Sequence, residues 1–280
     1  MNLTLSEPFR RLRTAFVACL IGGGSLLTTP ATACASSLLW EADFTQAPYV
    51  SGNSLIGTGE WAGTAASGNE MDASIVSDAD GQQLLIVSSR TGSGSSTSVN
   101  HAFEGPITGE KIRLEYIMAF SNPGGDGTSA AAALWFNRVD GFQNSPLVIG
   151  YAPSDSEGGG IFYNNTGAGN VTLVSRSNVS QGEYYRFIID LDFSMRTFSI
   201  ALSLLDSPQE PIVQLDNLAF RSGADVSLNS IYLSNQRGDR IAWELQSVKI
   251  AAIPEPGAVA LLGVVGVVLG FRPFFGKRNL

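Results

Sequence analysis

Residues 111–120 read KIRLEYIMAF, and they alternate without a break: Ile112, Leu114, Tyr116, Met118 and Phe120 against Lys111, Arg113 and Glu115. A helix would spread these apolar residues around its circumference, whereas a strand turns successive side chains to opposite faces and gathers them on one. The stretch therefore predicts a strand with one face in a core and the other in water. Working outward, residues 185–192 repeat the pattern, with Tyr185, Phe187, Ile189 and Leu191 opposed to Arg186, Asp190 and Asp192. After a turn at 194–196 the apolar face resumes at Phe198, Ile200, Leu202 and Leu204, which predicts a hairpin. Further strands are expected at 38–44, 83–88, 131–137, 147–151, 160–163, 171–175, 212–215, 228–233 and 241–250. In the last of these Trp243 and Leu245 share a face, but Val248 and Ile250 are out of phase with them. A bulge near Gln246 or Ser247 would restore the phase.

No stretch between these segments sustains a 3.6-residue period, and Gly and Ser clusters at 91–98, 122–129, 154–160 and 164–170 punctuate them. About a dozen short strands at this spacing predict an all-β fold, an antiparallel two-sheet jelly-roll sandwich. The hairpin around Asp190 and the closing 241–250 strand resemble concanavalin A-like or laminin G-like jelly rolls.

Both ends of the chain differ from this body. Arg10, Arg11 and Arg13 precede an apolar run at 14–27 and then small residues ending in Ala33-Cys34-Ala35. Basic n-region, hydrophobic h-region and an A-x-A site define a secretory signal peptide, so 1–35 is read as a signal, cleaved in the region of Ala33 and Ala35. Its partners would be the Sec export machinery and signal peptidase. At the other end, Pro254-Glu255-Pro256 precedes GAVALLGVVGVVLGF at 257–271, followed by Arg272, Lys277 and Arg278. Two prolines make a stiff, extended hinge. Fifteen apolar residues at about 1.5 Å each give a helix of roughly 22 Å, short of a hydrocarbon core of about 30 Å. Continuing to Phe275 admits one Arg, which can snorkel, and the run then reads as a transmembrane helix. Basic residues at both ends keep those ends cytoplasmic and place everything between them outside.

Hinge, short apolar helix and basic end at 253–280 resemble the PEP-CTERM sorting signal of exported bacterial proteins. The resemblance implies recognition of Pro254, Glu255 and Pro256 by an exosortase-type membrane protease, with Arg272, Lys277 and Arg278 as stop-transfer residues. It implies an exported protein, transiently anchored in the inner membrane and then delivered to the cell surface or an extracellular, exopolysaccharide-rich biofilm matrix. PFFG separates Arg272 from Lys277, where the family places its basic residues consecutively.

The body, 36–252, fits one large domain. Each end removes three of the 17 Lys and Arg and one of the 25 Asp and Glu, leaving 11 against 23 and a net charge of −12. Such a surface repels phosphate backbones and excludes nucleic acid as a partner. Cys19 lies in the h-region and Cys34 at the cleavage zone, so the body has no internal disulfide and must be held by its core.

Residues with chemical potential are few. His101 is the sole histidine and is expected on a partly exposed strand or loop; no His pair exists to hold zinc, and no Cys pair would remain after removal of the signal. Laminarinase-like jelly rolls carry three carboxylates on one strand as E-x-D-x-E or E-x-D-x-x-E. Here Glu41 and Asp43 make only the first half, followed by Thr45 and Gln46, and Asp190 and Asp192 form a pair at a hairpin end. Asp78, Asp80 and Gly81 open like a calcium loop but lack its closing Glu, and read as a turn. Neither a metal nor a cofactor is assigned, and structural calcium stays an open option. Trp40, Trp61, Trp135, Trp243, Tyr151 and Tyr163 could stack on sugar rings; most should be core, and Trp61, in GTGEWAGT, is the one expected at the surface for glycan contact. With no catalytic residue assigned, the expected function is a non-enzymatic surface or matrix protein, and the sequence does not separate one that binds exopolysaccharide from a passive structural or adhesive unit. The competing expectation is a glycoside hydrolase or lyase with a degenerate jelly-roll active site.

Overall fold

A computed structural model describes residues 37–64, 71–78, 81–88, 97–109, 111–120, 131–137, 144–152, 159–165, 169–236 and 242–254. The signal-peptide residues Ala33 and Ala35, and the tail residues Glu255, Pro256, Arg272, Lys277 and Arg278, lie outside them. Among the described residues no helix is long and apolar enough to cross a membrane.

The described strands are β1 (Ser37–Asp43), β2 (Trp61–Thr64), β3 (Met71–Asp78), β4 (Gly81–Ser88), β5 (Thr97–Ile107), β6 (Lys111–Phe120), β7 (Ala131–Phe136), β8 (Val148–Ala152), β9 (Gly160–Asn164), β10 (Val171–Ser175), β11 (Tyr185–Asp192), β12 (Thr197–Leu204), β13 (Val213–Ala219), β14 (Leu228–Gln236) and β15 (Ala242–Ala252). They form two sheets whose pairings are all antiparallel. The first runs β13-β12-β11-β6-β15-β4-β3, with β1 also on β15; the second runs β10-β9-β8-β7-β14-β5-β2. The strands expected from sequence are all present. Three more, β2, β3 and β5, were hidden by short length or by Gly, Asp and Pro within them.

KIRLEYIMAF is β6, held between β11 and β15. Its five apolar residues, Ile112 through Phe120, are all buried, and across the pair Tyr116 stacks on Phe187 with centroids 4.5 Å apart. The opposite face carries a ladder of ions: Lys111 with Asp192 at 3.4 Å, Arg113 with Asp190 at 2.7 Å, Arg186 with Glu115 at 2.8 Å and Lys249 with Glu41 at 2.9 Å. Exposed pairs of this kind contribute at most about 1 kcal/mol each. They keep the outer face polar and fix the register, since a slip of one residue would drive every charge into the core.

The expected bulge is present. Leu245 faces Met118 while Ser247 faces Ile117, so Gln246 is the inserted residue. Its carbonyl accepts from the Phe44 amide at 2.9 Å, and the shift brings Trp243, Leu245, Val248 and Ile250 onto one fully buried face. β4 pairs the first half of β15 and β1 the second, ending at Ser37 opposite Ala252. Beyond β15 the Ile253 amide still donates to the Lys111 carbonyl at 3.0 Å, and half-buried Pro254 follows directly.

Where β9 meets β10 the backbone leaves no room for a side chain. Gly160 has φ +116°, and a Cβ there would lie 2.0 Å from the Val174 carbonyl oxygen and 2.6 Å from the Arg176 nitrogen. Gly182, at φ +74°, has nothing within 4 Å. Gly160→Ala is therefore expected to cost about 3 kcal/mol or more of stability, by clash and left-handed strain together, and Gly182→Ala about 1 kcal/mol from strain alone. Urea midpoints of the two variants check the ranking; equal losses would contradict the packing at β9.

Candidate functional site: an aromatic cleft at the sandwich edge

β1 stands at one edge of the first sheet, and β5 and β2 at the facing edge of the second. Here the two layers are not closed on each other. Between them opens a cleft of about 490 Å³, lined by Leu39 and Trp40 from β1, Gly59 and Glu60 from the turn before β2, and His101, Phe103, Glu104, Gly105 and Ile107 from β5. That volume is in the range of small-ligand sites.

The local sequence explains each wall. Val99, His101 and Phe103 alternate toward the core, but the run then meets Glu104-Gly105-Pro106. Ser230 faces Ala102 and Leu228 faces Ile107, so two steps on β14 span five on β5. The three surplus residues form a bulge, and Pro106 has no N–H to pair. That bulge carries Glu104 and Gly105 to the lip. On the other side GTGE turns through positive φ at Gly57 (+86°), Gly59 (+55°) and Glu60 (+68°). For a residue with a Cβ the last of these is a strained position, and it sets Glu60 at the cleft.

Trp40 forms the aromatic wall. Half-buried, it lies 5.1 Å from the His101 ring and 5.2 Å from Phe103, with Trp61 beneath at 6.4 Å. Its indole Nε1 donates to His101 Nε2 at 3.2 Å. An indole is a donor only, so Nε2 accepts, and the proton of the neutral ring sits on Nδ1. Nδ1 is buried and makes no hydrogen bond of regular geometry, although the Gly59 main chain lies against the ring. Burial lowers the His101 pKa; the Glu60 carboxylate and the Gly59 main chain oppose this more weakly. Neither Glu60 nor Glu104 joins an ion pair among the described residues, and both are exposed.

The residues singled out in the sequence fall into place around this geometry. Trp61 is not a surface aromatic: it is 2% exposed, packed on Phe44, and its Nε1 donates to the Tyr49 hydroxyl at 3.2 Å. The glycines around it are exposed but return the chain tightly, with the Gly57 amide bonded to the Trp61 carbonyl at 2.8 Å, so the indole is folded inward beneath them. His101, expected to be partly exposed, is 8% exposed on β5 beneath Trp40. Trp243, Tyr151 and Tyr163 are core, as is Trp135, although the latter packs with Ala133, Val148, Ala152 and Phe162 in a second cluster separate from the main one. Of the six aromatics considered for sugar contact, Trp40 lines the cleft.

The carboxylates have structural roles. Glu41 pairs with Lys249, and Asp43 accepts from the Thr45 amide and hydroxyl and from Gln46 Nε2. Asp190, near the solvent-facing end of the β11–β12 hairpin, receives both Nε and Nη2 of Arg113, at 2.7 and 2.8 Å. Asp192 does cap the turn, accepting from Ser194 Oγ and the Met195 amide, and these bonds with Lys111 hold its pKa down against the opposing effect of burial. Asp78 and Gly81 close the β3–β4 hairpin, and Asp80 lies outside the described residues. Among the described residues no group of three His, Cys, Asp or Glu could hold a metal ion. Glu60, Phe103 and Glu104 were missed in the sequence. The break of Val99-His101-Phe103 alternation at Glu-Gly-Pro was the available signal.

No protein-family model and no curated protein matches the chain. Solved structures do. A conserved carbohydrate esterase from the Shiga toxin-encoding bacteriophage phi24B aligns with 79% of this chain and 100% of its own, at 12% identity and a TM-score of 0.52. The catalytic domain of the glycoside hydrolase family 131 protein from Coprinopsis cinerea aligns with 79% of this chain and 95% of its own, at 12% identity and a TM-score of 0.50. A sialidase aligns with 88% of this chain, at 9% identity and a TM-score of 0.49, and the chain spans 21% of its length. At these identities the likeness is one of fold. The body is a two-sheet, antiparallel jelly roll.

The buried imidazole gives a signed pH dependence. His101 has a folded pKa below its unfolded value of about 6.5, so the unfolded chain takes up the proton first. Its contribution to stability is complete above about pH 6.5 and is lost as pH falls through that value toward the folded pKa. Thermal unfolding between pH 7.5 and about 5.5, above the usual carboxylate range, should show Tm falling on acidification, and His101→Gln should flatten the slope. An unchanged slope in the variant would place the titration elsewhere.

Proposed function

We propose that this is an exported saccharide-binding protein of the cell surface or extracellular matrix, delivered by its C-terminal tail through an exosortase-type system. The observation that carries the binding half is the cleft, where a half-buried indole, a phenyl ring and two carboxylates frame a space sized for sugar units. Sugars present C–H faces that pack on aromatic rings and hydroxyls that donate to carboxylates. Two solved structures of similar fold bear names of carbohydrate-active enzymes, which supports the ligand class. The reading is binding rather than cleavage, because Glu41, Asp43, Asp190 and Asp192 are each engaged by ion pairs or turn hydrogen bonds. Incubation with a broad polysaccharide panel should release no new reducing ends; release that disappears in Glu60→Gln or Glu104→Gln would make the protein an enzyme.

Two indoles separate binding from folding. Trp40→Ala is expected to weaken polysaccharide retention about tenfold or more and to keep the far-UV spectrum, at a stability cost of about 1–3 kcal/mol for the buried His101 Nε2 left without its donor. Trp61→Ala, which empties a buried site, should instead cost about 3–5 kcal/mol of stability. Affinity electrophoresis through polysaccharide gels reads the first, and undiminished retention by Trp40→Ala would remove the cleft from the function.

The delivery half rests on the sequence at the two ends, with Pro254 following β15 almost without a spacer. In a native exporting cell, the wild-type protein should be recovered outside the inner membrane without the residues after about 255, by intact mass. Replacement of Pro254, Glu255 and Pro256 by alanine should leave the full-length chain in the membrane. Retention of the tail by both would make the segment an anchor and move the protein to the periplasm.

A further inference from the structure

The cleft is charged on one side of the scale. Its polar lining comprises Glu60, Glu104 and His101, and neither Lys nor Arg is among its wall residues. Glu60 and Glu104 are exposed and outside the ion pairs that occupy Glu41, Glu115, Asp190 and Asp192. Glu60 stands in left-handed backbone, a position that a glycine would fill with less strain, and its charge is felt at the His101 ring. His101 is more than nine-tenths buried at the cleft wall and lies against the Gly59 main chain, so the polar groups that the cleft leaves open to a ligand are the two carboxylates. Trp40 adds an aromatic face, which attracts a cation and repels an anion.

Resting on the saccharide-binding reading, we infer that the cleft selects polysaccharides bearing free amino groups, partly or fully deacetylated amino sugars, over N-acetylated and uronic-acid polymers. An ammonium beside Trp40 gains from the indole face and from both carboxylates. A neutral acetamido group gains neither, and a uronate is repelled by both. The net charge of −12 on the body draws a cationic polymer toward the domain as a whole, so the test must separate cleft from field.

The test is calorimetric titration of the purified domain with a glucosamine tetramer, its fully N-acetylated counterpart and a uronic acid tetramer, at mildly acidic pH and low salt. The free-amine oligomer should bind about three- to tenfold more tightly than the acetylated one, the increment expected from two exposed ion pairs, and the uronate most weakly. About 0.5 M salt should erase the preference. Glu60→Gln/Glu104→Gln should also erase it while acetylated binding persists. Asp206→Asn/Glu210→Gln, which removes the same charge from an exposed turn elsewhere, should leave it intact. Trp40→Ala should lose all three ligands. Equal affinity for the amine and acetylated forms, or a preference for the uronate, overturns the selectivity and leaves saccharide binding standing. Oligolysine bound as tightly and with the same Trp40 dependence overturns the assignment to a sugar. Absence of binding to every oligomer overturns both readings.

Discussion

The fold depends on burying one face of each sheet against the other, with no disulfide to share the task. Every inner strand must therefore present an unbroken apolar side, and β6 shows how strictly this is met, from Ile112 to Phe120. A residue out of phase would put a charge between the layers, where an unpaired ion costs several kcal/mol. The bulge at Gln246 answers that constraint. One inserted residue lets β15 keep Trp243 and Leu245 in the core along with Val248 and Ile250, and the carbonyl freed from the ladder is used by Phe44.

The same constraint, relaxed at one edge, produces the cleft. β5 can leave its pairing with β14 at Phe103 because its next neighbour, β2, is short and reaches only from Ser98 to His101. β1 on the opposite sheet places Trp40 across from the gap. The indole and imidazole then close the bottom of the opening with a single hydrogen bond, and Trp61 supports them from below. The site is thus the end of the core left open, and its aromatic character follows from being built of core residues.

Most of the framework was legible in the sequence because a two-residue period is a direct projection of strand geometry. Lys111 to Phe120, Tyr185 to Leu204 and the phase slip in 241–250 could be read from that period alone. The cleft was not legible, for three physical reasons. Trp61 looked exposed because its glycine-rich neighbours are exposed, and a tight turn that folds its indole inward has the same composition as an open loop. β5 was obscured by His101, Gly105 and Pro106, each poor in a regular strand and each at home beside a bulge. And Trp40 and Glu60 line one cleft only because β1 of one sheet faces β2 and β5 of the other, a juxtaposition that no local pattern encodes. Asp190 shows the converse: its place on an alternating strand was plain, but its partner Arg113 belongs to another strand 77 residues away.

Ser37 and Ala252 face each other at the end of the β1–β15 ladder, so the folded body enters and leaves its fold at one corner. A pull on both ends together loads the domain as a rigid body and strains no internal bond. A pull that separates them acts across the strands, opening the ladder one pair at a time from Ser37 inward rather than shearing all pairs at once. The first strand to peel would be the one that carries Trp40, so tension between the two ends would dismantle the cleft before it disturbed the β6-centred core.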